Sequence, residues 1–239
     1  MSIGLRDLKM DLIKNSNFGR YLIYVLGEIC LVVIGILVAL QFNDMKIAEQ
    51  DRTIELQYYQ TIKDQLTEDR AILAEEVKES TRRLAAYSAG KKIIKEGDRT
   101  QLDELGKVTL ELISYGDFRR TSTVYQTLIY SGEIKYIQNK KIVGFLQEIE
   151  RNYGITERLE ALQADLVISH SAPAILGLID FESGKILSPD LVFTPTFSNR
   201  FSGATKIVVE KVAHFEDAIK AIDSTLKTIE TELTSAGSL

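Results

Sequence analysis

The sequence predicts an all-α protein: one N-terminal transmembrane helix, running on into a long helix, followed by an extramembrane helical bundle. Three observations carry this. Residues 21–42, YLIYVLGEICLVVIGILVALQF, are apolar except at Glu28 and, at the far end, Gln41. From residue 43 to 89 there is no Pro or Gly, and apolar residues return at near-heptad spacing. The whole chain of 239 residues holds only 3 Pro and no Trp and is rich in Leu, Ile, Glu, Lys and Ala, which favours helix over sheet. Three segments follow: a cytoplasmic amphipathic segment (1–20), the span (21–42) and an extracytoplasmic helical-bundle domain (43–239).

The first residues set Ile3, Leu5, Leu8, Leu12 and Ile13 among charges, the pattern of a short helix lying on a membrane surface. Residues 22–40 then match the roughly 20 apolar residues that cross a bilayer at 1.5 Å each. Arg20, Tyr21 and Tyr24 at one end, and Gln41 and Asn43 at the other, are the expected interface anchors. The apolar core is longer than that of a cleaved signal peptide and ends without a small-residue cleavage pattern. The competing reading, a buried core helix, must account for LVVIGILVAL having no polar face. Arg6, Lys9, Lys14 and Arg20 precede the span, while Lys46 and Arg52 follow it. That excess predicts a cytoplasmic N-terminus in the inner membrane and a periplasmic or otherwise extracytoplasmic C-terminal domain.

After the span, Tyr59, Ile62, Leu66, Leu73, Val77, Leu84, Tyr87 and Ile94 form an apolar seam that Asp69 and Ser80 interrupt. One helix to about Gly97 is expected, its stripe covered by the rest of the chain or by a second copy as in a coiled coil. Further helices are expected from a Thr100 cap through Ile113, from a Thr/Ser cap to Gly132, from Asn139 to Gly154, and from Thr156 onward, with Pro173 kinking or splitting the last of these. Residues 185–203, holding Pro189 and Pro195, read as an extended loop. A long closing helix then carries Ile207, Val208, Val212, Phe215, Ile219, Ile222, Leu226, Ile229 and Leu233. Pairing the first and last helices antiparallel would bury both stripes.

The span resembles the opening of a family of single-span membrane proteins common in Bacteroidota. The likeness rests on Asn17, Phe18, Arg20, Tyr21, Leu22, Gly27, Glu28, Ala39, Leu40, Gln41 and Asn43, and more loosely on residues 125–142. Family members often follow with asparagine and tryptophan, where this chain has Asp44 and Met45. The resemblance implies a membrane anchor with a helical outer domain and carries no activity.

Chemistry-bearing patterns are sparse. A net charge of -5 argues against a nucleic-acid binder. Cys30, the single cysteine, lies in the span, so no disulfide or thiolate metal site forms within one chain. His170 and His214 have no second ligand at metal spacing. Ser131-Gly132-Glu133 lacks the glycine two residues before a nucleophile elbow and reads as a helix stop. Glu75, Glu76 and Glu79 read as a solvated face rather than a cation site, and Arg119 and Arg120 as loop residues rather than an anion clamp. Tyr125, Tyr130, Tyr136 and Tyr153 read as core rather than as the lining of a ligand pocket. No enzyme activity, metal or cofactor is expected.

Glu28 is the exception. A carboxyl at mid-bilayer costs roughly 2.5–3.5 kcal/mol on insertion scales. It adjoins a stripe of Gly27, Leu31, Gly35 and Ala39 at four-residue steps, small enough in places for two helix backbones to approach. The expected function is therefore a structural or interaction component of a membrane assembly. Its partners would be the lipid bilayer and a second copy or another membrane protein. The alternatives are an extracytoplasmic ligand-binding sensor that signals through a partner, and a subunit of an oligomeric ion or proton pathway that uses Glu28.

Overall fold

The computed structural model describes residues 16–116, 118–121 and 123–237; the amphipathic pattern of residues 3–13 lies outside them. Helices dominate, and no β-strand occurs among the described residues. The elements are α1 (Ser16–Glu96), α2 (Leu102–Leu110), α3 (Val124–Tyr130), α4 (Lys140–Asp165), α5 (Ala172–Ile175), α6 (Pro189–Val192) and α7 (Pro195–Gly237). Short 3-10 turns lie at Arg99–Gln101, Glu111–Ile113 and Glu133–Tyr136, and a π-helical turn at Leu166–Ser171 joins α4 to α5. Two compact units divide between Ile54 and Glu55.

The first unit is the N-terminal part of α1. One helix there is long and apolar enough to cross a membrane. None of its most apolar 18-residue window is buried, and large side chains from Tyr21 to Ile47 lie open on every face.

The second unit is built on three long helices. Lys63 pairs with Glu230 (3.1 Å) and Arg70 with Asp223, so α1 and α7 run antiparallel, as the two long stripes predict. Asn139 meets Glu232 and Lys211 meets Glu160, which sets α4 antiparallel to α7. Gln138 N–H donates to Glu55 and Tyr153 Oη to Asp69, which aligns α4 with α1. Residues buried on α1 step by four and three through Glu55, Tyr59, Ile62, Leu66, Asp69 and Leu73, then, a heptad on, Ser80, Arg83, Tyr87, Gly90 and Ile93. Val77, Leu84 and Ile94, assigned to the seam from hydrophobicity, sit half-buried beside it. Asp69 and Ser80 do not interrupt the seam but lie inside it, fully buried.

Local signals decide most helix ends. α1 stops at Gly97, whose φ of 67° is left-handed, and Asp98 N–H returns to the Ile93 carbonyl. Asn139 caps α4 by accepting from Lys141 N–H. Gly132 (φ 74°) follows the end of α3.

Four expectations need correction. Asp98, not Thr100, caps the turn before α2, accepting from Thr100 N–H. Thr123 makes no side-chain cap to α3; Thr121 N–H donates instead to Asp69 on α1. α4 does not stop at Gly154 but runs through it. A helical glycine costs about 1 kcal/mol, which the burial of Tyr153, Thr156 and Leu159 around it offsets. Residues 185–203 are not an extended loop: Pro189 opens α6 and Pro195 opens α7, at first-turn positions where proline's missing N–H removes no helical bond. Pro173 does act on its helix, which widens into the π turn just before it. Arg200 Nη1 donates to the His170 carbonyl in that turn (3.0 Å).

Between α5 and α6 a tight loop, pinned by the bridges Leu176–Ile179 and Ile179–Ile186, presses Gly184 against α2. The Gly184 carbonyl occupies the place where a side chain on Gly106 would stand. Gly106→Ala is expected to destabilise the fold by about 1–3 kcal/mol through overpacking, read as a lower denaturant midpoint with unchanged slope.

Candidate functional site

Gly27, Glu28, Leu31, Gly35 and Ala39 all lie exposed on α1. Four-residue steps put Gly27, Leu31, Gly35 and Ala39 on one helix face, with Glu28 one residue round from Gly27. A side chain built at Gly27 or Gly35 meets nothing within 4 Å, so this face is bare. Arg20, Tyr21 and Tyr24 at one end of the apolar stretch, and Gln41 and Asn43 at the other, are equally open.

The second unit holds a constellation that sequence reasoning missed. Its apolar core comes in two clusters. One gathers Leu66 and Leu73 of α1, Leu146 and Tyr153 of α4, and Phe215 and Ile222 of α7. The other gathers Tyr87 and Ile93 of α1 with Phe197, Phe201 and Val208 of α7. Between them, each long helix turns polar on its inner face. α1 contributes Glu76, Ser80 and Arg83, α4 contributes Thr156, Glu160 and Gln163, and α7 contributes Lys211.

Lys211 is 0% exposed. Its ammonium donates to Glu160 Oε1 and Gln163 Oε1, both at 3.1 Å, and lies 5.6 Å from the centre of the Phe215 ring. Glu160 Oε1 also accepts from Phe118 N–H (2.9 Å). Burial pushes the Glu160 carboxyl above its ordinary range, against the pull of Phe118 N–H and Lys211, and the charge of Glu76 adds to the rise. A cleft of about 320 Å³ opens beside this pair, lined by Tyr115, Gly116, Phe118, Glu157, Glu160, Ala161 and Ala164.

Nearby, Asp69 accepts from Thr121 N–H and Oγ1 and from Tyr153 Oη (2.8 Å). Burial, then the Asp69 charge, drives the Tyr153 hydroxyl far above its usual range. Arg120 closes on Glu150 at 2.8 Å and on Glu157 at 3.5 Å. Arg120, expected as a loop residue, is held in an internal ion pair. His214 Nδ1 shares a hydrogen bond with Asn152, and His170 is exposed. Tyr125, Tyr130, Tyr136 and Tyr153 do not converge: Tyr153 is core, and Tyr130 is 86% exposed. Glu75 pairs with Lys78 and Glu79 with Arg82, whereas Glu76 turns inward. No cluster suited to a metal occurs among the described residues. The signal that could have located the layer is the strict four-three step through 69, 73, 76, 80, 83 and 87, which lands on a charged or hydroxyl residue at every position but Leu73.

Two outcomes test the layer. Lys211→Ala leaves the carboxylate of Glu160 buried beside a hole and is expected to cost about 3–5 kcal/mol; the double variant Lys211→Met with Glu160→Gln recovers most of that loss in chemical denaturation. Because the folded chain holds the Glu160 proton more tightly than the unfolded chain, this group's contribution is fully present below its unfolded pKa. It is lost as pH rises through the higher folded value. Glu160→Gln is expected to remove that falling component from a plot of unfolding free energy against pH. No protein-family model matches the chain, and neither curated proteins nor solved structures match it.

Proposed function

We propose that the chain is a single-pass membrane-anchored helical protein that serves as an interaction component of a membrane assembly. It associates with a second copy or another membrane protein through its span. The observation that carries this reading is the apolar stretch of α1. Its side chains are open on every side, with Tyr24 at 78% exposure. A helix with no polar face that the protein itself does not bury requires an apolar medium. The Bacteroidota family resembled by residues 17–43 agrees with this reading. So does the excess of basic residues before the span, which favours an inner-membrane location with a cytoplasmic N-terminus.

Within lipid, helices gain nothing from hydrophobic exclusion, so contact relies on close backbone packing and hydrogen bonds. The Gly27–Gly35–Ala39 face supplies the first and the neighbouring Glu28 carboxyl the second. No step of this reading is catalytic.

The chain is expected to stay in the membrane fraction through alkaline carbonate extraction. Glu28→Leu is expected to keep it there while reducing span-directed crosslinking, in native membranes, from a cysteine placed at Leu31 with Cys30 replaced. Release by carbonate would overturn the anchor, and undiminished crosslinking would overturn the role of Glu28.

A further inference from the structure

Arg200 is a half-buried cation without a carboxylate. The chain carries 34 acidic against 29 basic residues, yet no Asp or Glu among the described residues pairs with this guanidinium. Its Nη1 donates to the His170 carbonyl of the π turn at 3.0 Å. Its Nε is buried without a partner, while Nη2 is neither bonded among the described residues nor sealed from solvent. A guanidinium cannot shed its charge in a protein, and its planar fork suits carboxylate and phosphate oxygens.

Arg200 lines a cleft of about 270 Å³ between the π turn and the start of α7, walled also by His170, Ser171, Thr196, Asn199 and Gly203. Ser171 ends the π turn and is 3% exposed. Its hydroxyl makes no hydrogen bond among the described residues and is not sealed off. An enclosed hydroxyl of this kind calls for a partner, and the cleft is where one reaches it. On α7, Thr196, Asn199, Arg200 and Gly203 follow steps of three and four and so share one helix face. No carboxylate lines the cleft; Asp165, at the end of α4, is taken up by Ser169 instead.

We propose that this cleft binds a phosphate group. Its oxygens accept from Arg200 Nη2, Ser171 Oγ, Thr196 Oγ1 and Asn199 Nδ2, donors that come from two elements. A guanidinium with no acid in the surrounding wall repels a cation and attracts an anion. Among anions, a tetrahedral one has oxygens on several sides to meet donors on both walls, whereas a carboxylate presents both of its oxygens on one side. The positive end of α7, a helix of 43 residues, adds to the attraction. A volume of about 270 Å³ lies just under the roughly 300–1,000 Å³ of pockets for drug-sized ligands, which suits the phosphate ion or the head of a small ester. The free ion, a soluble ester and a lipid headgroup share this chemistry. The site does not depend on how the span associates.

The test uses the full-length chain in maltoside micelles, dialysed to equilibrium against radiolabelled inorganic phosphate with ionic strength held constant by chloride. Saturable uptake of a single phosphate per chain is expected, and acetate at equal concentration does not displace it. Arg200→Gln is expected to weaken uptake about 10–100-fold. Gly203→Leu fills the cleft without disturbing the fold. A Cβ at 203 meets nothing within 4 Å, and leucine replaces a poor helix former. Its Tm, read by circular dichroism, is therefore expected to equal or exceed that of the wild type while uptake is lost. Competition separates the sources: displacement by glycerol phosphate supports the free ion or a soluble ester, and displacement only by phosphatidic acid mixed into the micelles supports a lipid headgroup. The proposal is overturned if uptake does not saturate, if acetate displaces phosphate, or if either variant takes up phosphate as the wild type does.

Discussion

Burying a lysine sets the conditions for the middle of the helical unit. An ammonium without water needs acceptors on every accessible side, and Lys211 finds them in Glu160 and Gln163, one turn apart on α4. Glu160 in turn needs donors and takes Phe118 N–H from the segment before α3. Asp69 repeats the arrangement from α1, holding Thr121 of the same segment and Tyr153 of α4. Residues 114–116, 118–121 and 123 form no regular structure apart from what these carboxylates impose. The polar layer therefore positions both a loop and three helices, and the cleft beside it is a by-product of that fixation.

How much of this could be read from the sequence depends on whether the controlling signal is local. Gly97, Gly132 and Asn139 end or begin helices through their own backbone and side-chain chemistry, and each acts where its residue type predicts. Gly154 carries the same local signal and is overridden, because the inner face of α4 buries Tyr153 and Thr156 on either side of it. Pro189 and Pro195 suggest a break but open helices, since proline ends one helix and starts another with equal ease. Thr121 and Thr123 look like caps, but the acceptor for this turn is Asp69, 52 residues away in sequence.

The polar layer was hidden for a related reason. Following apolar residues along α1 leads from Leu73 to Val77 and Leu84, one residue away from the face that is buried. Position in the heptad, rather than hydrophobicity, governs burial there: a side chain at a seam position is enclosed whatever its polarity, and neighbouring helices must answer it. The span shows the reverse. Its composition alone marks it, and Glu28 stands out because every neighbour is apolar.

The same layer also decides how the helices slide against each other. Lys63 and Arg70 are seven residues apart, as are their partners Glu230 and Asp223. Shifting α7 by one heptad would set Lys63 against Asp223 and Arg70 against Glu216, again opposite in sign. Surface charge therefore cannot distinguish the native register from its nearest competitor. Lys211 can, because the shift would carry its ammonium by two helical turns, away from Glu160 and Gln163. The most expensive residue to bury acts as the ruler that fixes where the long helices stop.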